Sequence, residues 1–379
     1  MNLSLSDEQV FLREAARGAL SRFKTLEAAR EALDGDEQAL PDLWPTACEA
    51  GWPGLLIGEE HGGAGLDAFD AMLVLGECGR VIAGVPLLGH LPATAILDAG
   101  GGGASVGSLL DELATGEKRA AYLPVSPPGD VLTTWTVDPP AGIERGPAPA
   151  ASGSGDAVTV SGALAWVLDA PGADVLVGVA LLDGKPVGVA IDAAAQGVSV
   201  EAVERYDATR SLGHVKLDNA PATVLDTPEE TLAGAWHLAQ ALIAAESLGS
   251  VETALDVSVA YAKERFTFGR AIGSYQAVKH SLTEVLRELE NGRSLLYYAG
   301  WARHGAPGEF PLAASALRSV AGRALDDAAR TMISVHGGIG ATWEHDAPLY
   351  FRRAQLSRRL LGGTGGATDR VAGELLAQA

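Results

Sequence analysis

The stretch Tyr261-Ala-Lys-Glu-Arg265-Phe-Thr-Phe268-Gly269-Arg270-Ala-Ile-Gly273-Ser-Tyr275-Gln276 decides how the chain is read. Upstream of it, residues Gly234–Lys263 are apolar on nearly every face, the mark of a helix buried inside a bundle. The stretch ends that helix, turns at Gly269 and Gly273, and restarts a helix at Gln276. Downstream, Val278, Leu282, Val285, Leu289, Leu296 and Ala299 form an amphipathic stripe over Gln276–Arg303. Pro311 marks the next helix start, Leu312–His336 follows, and Gly337-Gly338 closes it. With one more C-terminal helix, this pattern predicts an antiparallel bundle over 228–379. Arg265 and Phe268 fall on one side of a helix end. Such a pair can grip a phosphate and stack a base. It can equally answer the helix dipole with Phe268 in the core. Residue chemistry leaves both readings open.

Working back towards the N-terminus, the pattern over 118–227 changes period. Strand-like runs at Ala157–Ser161, Val175–Leu181, Val187–Ile191 and His214–Leu217 are separated by Gly, Pro and Asp turns, and Asp183-Gly184 is a hairpin pair. This predicts an antiparallel β-domain, with Pro139–Gly155 as a mobile loop. Residues 1–117 read as helical. Ser6 and Gln9 form a capping-box signature before an apolar face of Val10, Phe11, Ala15, Ala19, Leu20 and Phe23. A short helix is expected over Asp42–Ala50, ended by Gly51, and another over Ala68–Gly79. Glu59–Gly65 reads as a glycine loop, and Gly100–Gly103 as a flexible one before a last short helix. The order is helical, β, helical: an α+β chain.

The 379 residues carry 28 basic and 48 acidic side chains, a formal net charge of −20. A nucleic-acid or anionic-membrane binder needs a basic footprint, so neither is an expected partner. Cys48 and Cys78 lack the spacing of a disulfide framework or a zinc site, so a reducing, cytoplasmic setting is expected. No acidic or histidine spacing suggests a metal. No signal peptide is read at the N-terminus, and the longest apolar run, Gly234–Leu248, is broken by His237, Gln240, Glu246 and Ser247. The 47 glycines and abundant alanine read as turns and tight helix packing.

The opening stretch resembles the Arg-x-x-Phe-Gly-x-x-Ile…Gln signature of the acyl-CoA dehydrogenase family. Four other stretches are similar to that family in order and spacing: Ala50–Gly65, Leu75–Arg80, Ala165-Trp166-Val167 through Asp174, and Val335–Gly340 with Trp343-Glu344-His345. The resemblance spans essentially the whole chain and is to the actinobacterial type. It implies an N-terminal helical domain, a middle antiparallel β-domain and a C-terminal four-helix bundle. It also implies FAD as cofactor, an acyl-CoA substrate oxidised to trans-2-enoyl-CoA, a tetramer, and an electron-transfer flavoprotein as acceptor. The FAD lies between two subunits in such enzymes. Arg265, Phe268, Gln276, Gly337 and Gly338 match the half lent to a neighbour, although Ser334 stands at a usual glutamine. Trp166 matches the receiving half.

Three departures fall on the receiving half. Gly362, in Leu360-Leu361-Gly362-Gly363-Thr364, stands where the family places its glutamate base. Ala239 stands at the alternative base position. Leu168 replaces the hydroxyl that meets flavin N5, and leucine has no donor. Leu123-Pro-Val-Ser-Pro-Pro-Gly-Asp130 replaces the substrate-side loop. The resemblance therefore points to the non-catalytic chain of a heteromeric α₂β₂ enzyme. Two alternatives remain: an active homotetramer using Glu246, two turns beyond Ala239, or a flavin-free CoA-ester binding or assembly protein. Glu246 has its own plain reading as a paired bundle glutamate. Arg352, Arg353, Arg358 and Arg359 read either as ligands for cofactor or CoA phosphates, or as ion pairs. Asp207 and Arg210 read as a local turn with a salt bridge.

Overall fold

The computed structural model describes residues 4–377, apart from 34, 36–39, 101–102, 130–131, 143 and 156. Gly101, Gly102 and Asp130, which belong to loops singled out above, lie outside the described residues.

The first third folds as helices α1 (Asp7–Leu20), α2 (Thr25–Leu33), α3 (Trp44–Glu49), α4 (Ala68–Arg80), α5 (Leu87–Ala99) and α6 (Gly103–Thr115). The Ser6 and Gln9 side chains and backbones form the reciprocal cap expected at α1. Helix α5 escaped the sequence pattern because it is apolar almost all round and contains Pro92. Apart from Ala95, Asp98 and Ala99, its residues are buried.

The middle third contributes β1 (Ala120–Tyr122), β2 (Thr136–Val137), β3 (Gly146–Pro147), β4 (Ala150–Ser154), β5 (Ala157–Leu168), β6 (Val175–Leu182), β7 (Lys185–Asp192), β8 (Val198–Ala202) and β9 (Leu212–Leu225). The large sheet is antiparallel except where β6 pairs in parallel with β1 and with β4. It is thus a mixed sheet, because β1 arrives from α6 and enters at its edge. Asp183-Gly184 turns the β6–β7 hairpin, with φ of 52° and 78°. The supposed mobile loop at Pro139–Gly155 instead contains β3 and all of β4, and β4 is hydrogen-bonded along β5. Its small residues suit a strand lying close to its partner: a Cβ at Gly153 would fall 2.1 Å from the Ala157 carbonyl oxygen.

The last third opens on α7 (Glu229–Glu264), which is buried along most of its length and forms the axis of the molecule. Its end passes into a hairpin of β10 (Phe266–Thr267) and β11 (Arg270–Ala271). Helices α8 (Gln276–Gly305), α9 (Phe310–His336), α10 (Ala347–Ser357) and α11 (Gly363–Ala377) follow. The C-terminal helix of the sequence reading is therefore two helices, broken at Arg358–Gly362, where Leu361, Gly362 and Gly363 have positive φ. Helices α4 and α7 touch backbone to backbone: a Cβ on Gly79 would lie 1.8 Å from the Glu246 carbonyl oxygen. Here glycine serves close approach rather than low complexity.

Candidate functional site

Two regions draw the singled-out residues together. The first is an exposed edge at one end of the bundle. The β10–β11 hairpin continues directly from α7, and Tyr261, one turn before Arg265, stacks on His336 at 4.3 Å between ring centroids. His336 stacks in turn on His345 at 4.1 Å. These contacts bring the hairpin and the Gly337-Gly338 turn to one end of the molecule. The side chain of Phe268 is 94% exposed. That excludes the core reading of this residue. The Arg265 side chain is exposed and makes no hydrogen bond or ion pair to the described residues. Gln276 is exposed at the first turn of α8. Gly337 has φ of 64°, and neither it nor Gly338 has an atom within 4 Å of where a Cβ would stand. An unpaired guanidinium, an outward aromatic ring and an open glycine turn fit the pyrophosphate and base of a dinucleotide held by another chain.

The second region is a cavity of about 200 Å³ around Gly362, between the middle sheet and the bundle. Trp236 and Gln240 come from α7, Ser315 from α9, Asp369 and Arg370 from α11, and Ser126 and Arg145 from the middle third. A Cβ at Gly362 would lie 3.2 Å from Cζ2 of Trp236 and 3.9 Å from Nη1 of Arg145. The Arg145 guanidinium sits 5.8 Å from the centroid of the Trp236 ring. It is held there by bonds from Nη1 to Asp138 Oδ1 at 2.7 Å and from Nε to Thr136 Oγ1 at 2.8 Å. A guanidinium thus stands beside the position from which a carboxylate would project. Asp369, two turns beyond Gly362, is the acidic residue of this wall, and it is exposed.

Glu246 belongs to neither region. Its Oε1 accepts from Arg353 Nη1 at 2.7 Å and Arg210 Nη1 at 3.1 Å, and its Oε2 accepts from Arg210 Nη2. All three side chains are buried. Arg353 also reaches Asp207 Oδ2 at 2.6 Å. Burial pushes the Asp207 carboxyl up, but Arg353 and Arg210 outweigh it and hold it below the usual carboxylate range. The expected Asp207–Arg210 salt bridge is therefore replaced by two longer-range pairs, although the local turn forms. Arg353 is a core ion-pair residue, Arg358 pairs with Asp326 at 3.0 Å, and Arg352 lies over the exposed Trp343 ring at 4.8 Å. A buried carboxylate with both oxygens claimed by guanidiniums is turned to its own chain rather than to a substrate, which speaks against Glu246 as a base.

Trp166 lies outside the core, 42% exposed, at a bulge in β5 with φ of 57°, and it meets His214 edge-on at 5.0 Å. Leu168, two residues on, is buried. Among the described residues no cluster of His, Cys, Asp and Glu could hold a metal, and no helix is long and apolar enough to cross a membrane.

The architecture and the edge define a class, and comparison with known proteins agrees. The acyl-CoA dehydrogenase N-terminal domain matches residues 6–125, and the acyl-CoA dehydrogenase C-terminal domain matches 233–376. Acyl-CoA dehydrogenase IpdE2 of Mycolicibacterium smegmatis is 30% identical over 94% of this chain and 96% of its own. Acyl-CoA dehydrogenase FadE34 of Mycobacterium tuberculosis is 33% identical over 96% of this chain, which spans only 47% of FadE34. The solved Tcur3481-Tcur3483 steroid ACAD is 29% identical, with a TM-score of 0.86 over 99% of both chains. The chain belongs to the acyl-CoA dehydrogenase family of FAD-dependent oxidoreductases.

Arg145, Trp236, Gln240, Ser315, Asp369 and Arg370 were not singled out in the sequence. Nothing local marks them, because four separate segments bring them to one wall. Gly362 and the Leu123–Asp130 stretch, whose Ser126 and Gly129 line the cavity, pointed to the place.

Proposed function

We propose that this chain is the non-catalytic subunit of a heteromeric acyl-CoA dehydrogenase, completing the FAD site of a homologous catalytic chain in an α₂β₂ assembly. Gly362 carries the reading: the base position holds no carboxylate, and Arg145 stands 3.9 Å from the missing Cβ. An α-proton acceptor beside an acyl thioester must be a carboxylate tuned near the working pH. A guanidinium there opposes that role. The edge supports the other half of the reading. Arg265 offers a free cation to a pyrophosphate, Phe268 an aromatic face to a base, and Gly337-Gly338 a close backbone approach. Gln276 adds a side-chain amide at the head of α8, and Trp166 offers an indole face beside the riboflavin part of a flavin. FAD, when bound, supplies the hydride acceptor.

The Tcur3481-Tcur3483 likeness supports two different chains in the assembly. It also makes a CoA ester with a steroid body the first substrate to try. Electrons leave to an electron-transfer flavoprotein, and the assembly works in the cytoplasm, where Cys48 and Cys78 stay unpaired. The test compares the purified chain with the chain co-expressed beside a homologue that carries the glutamate. Alone it should hold little flavin and oxidise no acyl-CoA; together the pair should hold one FAD per two chains and turn over. Stoichiometric FAD with turnover by the lone chain would sink the reading.

One observation favours a second reading, a self-sufficient homotetramer: Asp369 lines the same cavity. Turnover by the lone chain that disappears in Asp369→Asn, with flavin retained, would establish it. A protein colourless even beside its partner would instead be a flavin-free CoA-ester binder.

A further inference from the structure

The cavity at Gly362 contains more polar capacity than this chain uses. Ser315 is fully buried and its Oγ has no partner. Gln240 is 3% exposed; its Nε2 donates to the Leu361 carbonyl at 3.1 Å while its Oε1 has no partner. A buried polar atom left unpaired is costly to the fold, so such a wall suits a polar ligand. Positive charge gathers around it. Arg145 and Arg370 line the space. Behind the Leu360–Gly362 turn lies Arg318, fully buried, donating from Nη2 to the Leu360 carbonyl at 3.1 Å, with Nε and Nη1 unpartnered. Against these stand Asp138, which pairs with Arg145, Glu374, 3.8 Å from Arg370, and the exposed Asp369. Among the described residues the three guanidiniums face these three carboxylates, none of them buried, and Arg318 pairs with none of them. Trp236 and Leu132 supply an apolar side.

We propose that this cavity binds a small carboxylate, its anionic end between Arg145, Arg370 and the Ser315 hydroxyl and its short apolar body against Trp236. Charge-assisted bonds to guanidinium are the strong class of hydrogen bond, and Arg145 and Arg370 have donors left over beside their partners Asp138 and Glu374. The volume of about 200 Å³ lies below the roughly 300–1,000 Å³ of pockets that hold drug-sized ligands. A chain of a few carbons fits; a fused-ring body does not. The base position of this chain has thus changed sign and become a receptor for a negative group. The proposal concerns binding by the chain itself and stands whether or not the chain lends its edge to another.

Two sources share that chemistry: a free short-chain acid, and the carboxyl end of an acyl-CoA. Calorimetric titration of the full chain with hexanoate, hexan-1-ol, adipoyl-CoA and hexanoyl-CoA separates them. Hexanoate should bind at least tenfold tighter than hexan-1-ol, and Arg370→Met and Arg145→Met should each lose tenfold. Arg370→Met keeps the test sound if Arg145→Met, which releases Asp138 and Thr136, fails to fold. Ser315→Ala should lose about threefold. Adipoyl-CoA binding more tightly than both hexanoate and hexanoyl-CoA identifies the CoA ester as the source; hexanoate binding as tightly as adipoyl-CoA identifies the free acid. Equal binding of acid and alcohol, no binding of either acid form, or affinity unchanged in Arg370→Met overturns the proposal.

Discussion

The edge at Arg265–Gln276 and Gly337-Gly338 and the cavity at Gly362 are opposite kinds of place. At the edge the matching residues other than Ser334 are present, and the Arg265, Phe268 and Gln276 side chains have no hydrogen-bond or ion-pair partner among the described residues. At the cavity the family's glutamate is gone, and new residues from four segments have closed round the vacancy. A site that merely decays loses residues at random. Under the proposed function the losses fall on one side of the cofactor and the retained residues on the other, the pattern expected if two chains divide one task.

Changes can be ranked by their expected effect on this chain's own stability, and the largest lies outside both regions. Glu246→Ala should cost about 3–5 kcal/mol, because it leaves Arg210 and Arg353 buried without a counter-charge. Chemical denaturation measures it. Glu246→Gln, which keeps the shape, should also destabilise strongly. If it leaves stability unchanged but removes turnover by the lone chain, Glu246 is a base after all and the contrast between edge and cavity loses its meaning.

The cavity side should show a pH signature. His237, next to Trp236, is buried, and burial with the nearby Arg370 charge lowers its pKa to about 3. In the unfolded chain it returns to about 6.5. The folded state therefore resists a proton that the unfolded state accepts. Its contribution is whole above pH 6.5 and falls away as the pH drops from there towards 3, by about 2 kcal/mol at pH 5. Compared with wild type, His237→Gln should flatten the loss of stability between pH 6.5 and 5 by close to one proton. An unchanged slope would show that His237 is charged in the fold and that its surroundings are less positive than argued.

Gly362→Glu is the direct attempt to turn the cavity back into a catalytic half. Its φ of 76° is glycine territory, and the new Cβ would press on Trp236 at 3.2 Å. We expect a cost of about 1–3 kcal/mol from the backbone alone and no acyl-CoA oxidation by the lone chain. The two neighbouring positive-φ residues, Leu361 and Gly363, belong to the same turn, so the helix break offers no easy relaxation. Turnover recovered in this variant would mean that a single residue silences the site and that the rest of the receiving half is intact.

How much of this was legible in the sequence follows the range of each signal. Helix and strand periods are local, so the helical, β, helical order and the long helices α7, α8 and α9 could be read directly. Helix α5 was missed because an all-round apolar stretch has no period, and β4 because small residues mimic a loop. Gly362 could be located because it sits in a recognisable string. Its surroundings could not: Arg145 and Trp236 are far apart in sequence and meet only through the docking of β2 and β3 on the bundle. The Glu246 network was half legible for the same reason: a paired bundle glutamate could be read, but not that its partners are Arg210 and Arg353. Asp207 and Arg210 are three residues apart, and proximity in sequence suggested a pair where the fold supplies better partners.

The smallest effect on stability should come from the edge, and its sign is the sharpest test. Two hairpins in this chain turn on two residues with positive φ: Asp183-Gly184 and Phe268-Gly269. The first pair is what such a turn prefers. Phenylalanine is not, and at Phe268 it has no packing to offset the conformation, since the ring is 94% exposed. Under the proposed function such a residue, wrong for its turn and idle in its own chain, serves a contact with the partner's flavin. Phe268→Gly should therefore raise the stability of the isolated chain slightly, by about 1 kcal/mol or less. The same change should weaken flavin retention by the assembled pair about tenfold, the size of a lost aromatic contact. Thermal melts of the lone chain and flavin release from the complex measure the two effects separately. If stability falls and flavin retention holds, Phe268 serves its own hairpin, and the edge is no more functional than the turn at Asp183.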